Sequence, residues 1–97
     1  MGVSNYYRGR SREYRALQLL RRDGWLCSRS AASHSPIDIF AGKGGQVIVV
    51  QVKSGRARMT SAEVDELRAW AKAYNARAEV WKFGKRGQLT KKTVYGS

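Results

Sequence analysis

From Ser11 to Arg22 the apolar positions follow a helical period. Glu13, Ala16, Leu17 and Leu20 stand at i, i+3, i+4 and i+7, so they share one face. Ser11 offers an N-cap, and Arg21, Arg22 and then Gly24 offer a stop. Beyond Gly24 the pattern shortens to runs of four to seven residues. Trp25 to Arg29 predicts a short strand, and Ser30 to Pro36, rich in turn formers, a loop. Ile37 to Ala41 predicts a second strand, with Ile37 and Ile39 on one side and Asp38 and Phe40 on the other. After the turn Gly42-Lys43-Gly44-Gly45, Val47 to Lys53 is the most strongly apolar run, as expected of a central strand covered on both faces. Ile48, Val50 and Val52 fall on one face, and Val47, Val49, Gln51 and Lys53 on the other.

Thr60 to Tyr74 predicts a second helix. Thr60 and Glu63 fit a capping box, Val64, Leu67, Ala71 and Tyr74 the buried stripe, and Asn75 a left-handed stop. Ala78 to Phe83 and Leu89 to Tyr95 are two further strands around Gly84-Lys85-Arg86-Gly87. The order α-β-β-β-α-β-β predicts an α/β fold, a mixed sheet flanked by helices.

The length of 97 residues suits one domain, residues 1–97, with 1–7 expected to be loosely ordered. Nineteen Lys and Arg against seven Asp and Glu leave a net charge of +12, while 42% hydrophobic residues suffice for a small core. That charge points to a polyanionic partner; the bland alternative is a solvated basic surface. Aromatic and basic residues do not alternate as in single-strand-binding modules. The longest near-apolar run, Val47 to Val52, is far too short for a membrane span, and no secretory leader is expected in Met1 to Arg12. One Cys precludes an internal disulfide and fits an intracellular, cytoplasmic setting. One His and one Cys cannot assemble an ordinary zinc site, so metal chemistry here needs carboxylates and a hard cation such as magnesium or manganese. Cys27 reads as a packed thiol, and His34 as a solvated or DNA-contacting side chain.

Two acidic residues break the pattern. Glu13 shares a face with core leucines, where its placement at the first helical turn would give some relief from the helix dipole. Asp38 stands mid-strand between isoleucines, although aspartate is depleted in strands. Gln51 and Lys53 follow on the neighbouring strand, on one face. Buried polar groups are costly unless they serve one another or a ligand, so these four are the candidate chemistry.

Asp38, a gap, and Gln51-Val52-Lys53 resemble the PD-(D/E)xK nuclease motif, with Pro36-Ile37-Asp38 as a stretched form of its first element. Around that core stand Arg8-Gly9, Arg12-Glu13, Leu17, Leu20, Gly24-Trp25, Arg29-Ser30-Ala31-Ala32-Ser33, Ile37-Asp38-Ile39 and Val50-Gln51-Val52-Lys53. In that order they resemble the archaeal-type Holliday junction resolvases, including their phage and viral relatives. The resemblance is close over the first 55–60 residues and looser to nearly the full length.

The resemblance implies a restriction-endonuclease-like fold and a homodimer that resolves four-way DNA junctions by paired, metal-dependent phosphodiester hydrolysis. Mg2+ is the implied cofactor, with Mn2+ able to substitute, and the partner is branched DNA, with no membrane. Glu13 matches the family's N-terminal catalytic glutamate, Asp38 its metal-binding aspartate and Lys53 its catalytic lysine. Glu13, Asp38 and position 51 would hold the metal. Arg29 and Ser33 match a basic and a hydroxyl residue of the active-site loop, with Ser30 beside them. Arg8, Arg10 and Arg12 fall in the basic N-terminal segment, and Arg56 and Arg58 join them as DNA-contacting candidates. Position 51 departs from the pattern: the family has glutamate, and this chain has Gln51. A neutral amide oxygen is a poorer ligand for a hard cation, so junction binding is expected to persist while cleavage is weak. Gln51 is either an introduced substitution or native, with Glu13 and Asp38 alone holding the metal. Apolar candidates for the dimer interface are Trp81, Phe83, Leu89, Val94 and Trp70, with core packing the alternative for most. Rival readings are a restriction or repair nuclease on the same fold and a non-catalytic branched-DNA-binding protein.

Overall fold

A computed structural model describes residues 2–30 and 35–96, with side chains from residue 11 onward. The elements run α1 (Gly2–Arg22), β1 (Leu26–Arg29), β2 (Ile39–Lys43), β3 (Gln46–Ser54), α2 (Ser61–Ala73), β4 (Arg77–Phe83) and β5 (Leu89–Tyr95). The strands form one mixed sheet in sequence order, β1-β2-β3-β4-β5. Only the β3–β4 pair is parallel, and α2 is its crossover helix. The architecture is the expected α/β fold.

The helices cover opposite faces. From α1, Ala16, Leu17 and Leu20 pack on Ile39, Ala41, Ile48, Val50, Trp81 and Phe83. From α2, Leu67 and Ala71 pack on Ile37, Val49 and Ala78. The alternation along β3 thus feeds both layers, which is why its sequence reads as an almost unbroken apolar run. Trp81 and Phe83, weighed above as interface candidates, are fully buried core.

Several boundaries differ from the expectation, each for a local reason. Helix α1 begins at Gly2, so residues 2–7 continue the helix and Ser11 lies inside it instead of capping it. Glu13 is therefore far from the first turn and out of reach of the helix dipole, whose effect fades within one turn. β2 starts at Ile39, and Asp38 sits in a bend just before it. Because the chain is not extended there, alternation fails across the bend, and Ile37 packs in the α2 layer while Ile39 packs in the α1 layer. Helix α2 forms as expected, with Thr60 as cap, both capping-box hydrogen bonds, and Asn75 left-handed at φ 54°. Tyr74, expected in the stripe, is 53% exposed, because the helix ends at Ala73. The β2–β3 hairpin turns on Gly44 and Gly45, with φ of 55° and 83°, a conformation that costs other residues dearly.

Candidate functional site

Asp38 is held by backbone at the point where β2 ends. Its N–H donates to the Val50 carbonyl (2.8 Å), and its own carbonyl accepts from Ser30 N–H (2.8 Å). The Val52 N–H points to the same side of β3 as Val50 but lies beyond the last β2 pair, and the Asp38 carboxylate takes it at 2.7 Å. The bend thus turns a ladder position into a fixed carboxylate, with Asp38 one residue before the Ile39–Val50 pair and bonded to β3 on both sides of Gln51, through the Val50 carbonyl and the Val52 N–H. Burial pushes the Asp38 carboxyl above its ordinary value, against the Val52 hydrogen bond and the nearby charges of Lys53 and Arg29, which pull it down.

Arg29 links the other acid to this point. It closes β1, and its Nε lies 3.7 Å from Glu13 Oε1, each side chain about a quarter exposed. The Arg29 guanidinium also lies over the Tyr14 ring, 5.5 Å from its centroid. The cation that Glu13 requires on an apolar face is therefore Arg29. From the opposite layer, Gln51 and Lys53 project from β3 on the α2 side with Val49. Lys53 Nζ lies 3.9 Å from Glu63 Oε2 at the start of α2. Glu63 entered the sequence reading only as a capping residue. Its pairing with Lys53 depends on where α2 returns to the sheet, which no local pattern reveals.

The expected residues thus meet in part. Asp38, Arg29, Glu13 and Lys53 form a chain of neighbours at one end of the sheet, with Gln51 in the adjoining register position. Ser30 lies half-buried beside Asp38. Arg56 and Arg58 are exposed on the loop after β3. Arg12 is engaged within the protein, donating to the Gly84 carbonyl (3.2 Å) and lying over the Phe83 ring. Ser33 and His34 lie outside the described residues, as do the side chains of Arg8 and Arg10.

The donor set fits a hard divalent cation in part. Asp38 is a fixed carboxylate with one oxygen on Val52, and its burial disfavours a lone negative charge, which a cation would relieve. Glu13, the other acid of the expected set, is held by Arg29. Among the described residues, no three of His, Cys, Asp and Glu come together, and position 51 carries an amide. Glu79 offers a contrast. It is only 7% exposed, yet both of its oxygens are used, by Arg77 Nε and Nη2 at 2.7 Å and by Trp81 Nε1 at 2.7 Å. Glu79 is a satisfied structural carboxylate; Asp38 retains capacity for a ligand.

A family model described as archaeal Holliday junction resolvase matches residues 4–92. Among solved structures, the chain is similar to Hjc of Archaeoglobus fulgidus, a Holliday junction resolvase from an archaeal hyperthermophile. The TM-score is 0.79 at 27% identity, over 90% of this chain and 73% of that one.

Proposed function

The chain belongs to the archaeal Holliday junction resolvase family, and we propose that it binds four-way DNA junctions and cuts them by metal-dependent phosphodiester hydrolysis at the Glu13, Asp38, Gln51 and Lys53 site, with Gln51 weakening cleavage. The observation that carries this reading is the Asp38 carboxylate fixed on Val52 N–H, raised in pKa by burial, with Lys53 and Arg29 as its nearby positive charges.

The chain's own groups have distinct roles. Arg29 and Lys53 attract the phosphate to a site whose acids would otherwise repel it. The Lys53 ammonium neutralises charge developing on the phosphoryl oxygens and orients the attacking water. Arg29 pairs with Glu13 of the α1 layer and carries its charge near Asp38. Asp38 and Glu13 would hold Mg2+, or Mn2+ in its place, with Gln51 offering an amide oxygen. When bound, the cation supplies charge stabilisation and a more acidic water. Glu63 keeps Lys53 aimed along the end of β3.

Two matched nicks require two sites, which a two-fold dimer supplies. The exposed ring of Tyr74 stacks on Trp70 with centroids 6.0 Å apart and meets Phe40 edge-on at 5.7 Å. This aromatic cluster at the end of α2 suits a self-complementary contact. It replaces Trp81 and Phe83 as the dimer candidate, keeps Trp70, and leaves Leu89 and Val94 packed against the core.

The test compares a synthetic four-way junction with linear duplex of the same sequence. Metal-free protein is expected to bind the junction more tightly, and with Mg2+ any cutting falls as paired nicks near the branch. Equal affinity for both substrates would favour a nuclease or DNA-binding module that reads linear duplex.

A further inference from the structure

The α2 face of the sheet is not covered to its end. Beyond the first turn of α2, β3, β4 and β5 leave a groove of about 390 Å³. Lys53, Arg58, Lys82 and Lys92 line it over an apolar floor that includes Met59 and Val80, and no acidic side chain lines it. The register explains the clustering. Lys53 pairs with Lys82, Lys82 with Thr90, and Val80 with Lys92, so three adjacent strands present cations to one side. The neighbouring Lys91 goes to the other face, where its Nζ lies 4.2 Å from the centroid of the Trp81 ring. Lys53 has Glu63 as a partner, but none of Arg58, Lys82 and Lys92 is in an ion pair among the described residues.

We propose that this groove binds the sugar–phosphate backbone of the DNA strand that is cut, carrying it from Lys53 across β4 to Lys92. The inference rests on the junction-binding reading and adds to it a path for one strand outside the scissile phosphate. Charge complementarity names the occupant: four cations, of which Arg58, Lys82 and Lys92 have no ion-pair partner among the described residues, suit a polyanion. Dimensions agree. Two strand-to-strand steps span roughly 9–10 Å, longer than the spacing of neighbouring phosphates on one strand, so the row can meet more than one of them. The apolar floor faces the sugars. Lys53 then has two neighbours in use, Glu63 on the α2 side and the phosphate chain on the β4 side.

The test is a salt series of junction binding, without metal, on the Gln51 chain. The variants are Lys82→Gln/Lys92→Gln, Lys92→Gln alone, and a charge-matched control, Arg21→Gln/Lys72→Gln, at exposed positions on the two helices. Lys92 is exposed, so its replacement is expected to leave folding intact. The groove double variant is expected to lower the log–log salt slope by about 1.8 and the single variant by about 0.9, with the control unchanged. Ethylation interference is expected to mark successive phosphates along the groove in the parent complex and to lose the two facing Lys82 and Lys92 in the double variant. Slopes equal in groove and control variants overturn the strand path while leaving junction binding in place. A parent chain without junction preference defeats the underlying reading first, and the strand path with it.

Discussion

A buried acid, Glu79, and a half-buried one, Asp38, make opposite predictions when neutralised, and the difference can be worked from their contacts. Glu79 receives three N–H donors on two oxygens, all at 2.7 Å. Glu79→Gln keeps the shape but offers one carbonyl oxygen, so a donor of Arg77 or Trp81 is left facing an NH2 group. An unsatisfied buried donor costs about 1–3 kcal/mol, and removing one partner of a buried ion pair about 3–5 kcal/mol. These overlap, and the Arg77 side chain is 27% exposed, so water recovers part of the loss. A net loss of about 2–4 kcal/mol is expected, against a total stability of order 5–15 kcal/mol. At about 4–8 °C per kcal/mol, Tm falls by roughly 8–32 °C. Asp38→Asn keeps an acceptor for Val52 N–H and removes a charge that burial disfavours, so Tm is expected to hold or rise. Thermal melts followed by circular dichroism, with urea titration for the free energies, measure both. A Glu79→Gln loss under about 1 kcal/mol, or an Asp38→Asn loss matching it, would refute the division between a structural and a ligand-seeking acid.

Four further outcomes follow from Asp38 and from other contacts in the structure. The raised Asp38 carboxyl means that its ionised form costs stability above its folded pKa, a cost relieved as pH falls through it. Divalent-ion affinity, read by calorimetry, should accordingly weaken with falling pH above the ordinary aspartate range; onset only within that range would contradict this. Thr60→Ala removes the acceptor for Glu63 N–H and should cost about 1 kcal/mol, or roughly 4–8 °C in Tm, and an unchanged melt would mean the cap contributes nothing. The lowered Glu63 carboxyl adds stability that is present above the ordinary glutamate value and lost as pH falls through the lowered one. Tyr74→Glu should turn a dimer into a monomer in light scattering with little change in Tm; an unaltered mass would exclude the aromatic cluster as the interface.

Period and punctuation carried most of the fold. Val47 to Lys53 alternates without interruption, and the structure feeds both layers from it; Thr60, Glu63 and Asn75 bound α2 as their chemistry demands. The failures lie where tertiary contacts override local signals. Ser11 has the chemistry of a cap yet lies within α1, because the helix continues upstream over residues rich in polar groups. Pro36-Ile37-Asp38 looks extended, yet the chain bends, because the Asp38 side chain replaces a ladder acceptor. At the candidate site, the inward placement of Glu13 was legible as an anomaly on an apolar stripe, but its Arg29 partner was not, since that pairing joins a helix to a distant strand end. Glu79 passed unnoticed because Arg77, Glu79 and Trp81 alternate in a strand like any polar–apolar series, and only the packing of α1 over that face reveals its burial. The row of Lys53, Lys82 and Lys92 depends on register between strands, which no single stretch of sequence contains.

The central claim is that Asp38, Glu13, position 51 and Lys53 form one hydrolytic site. Junction cleavage by Gln51→Glu in Mg2+, set beside the Gln51 chain at equal junction occupancy, tests it most directly. Restoring a charged oxygen at position 51 should raise the nicking rate by on the order of a hundredfold or more, with paired cuts near the branch and little change in metal-free binding. A rate no greater than that of the Gln51 chain would contradict the assignment of all four residues.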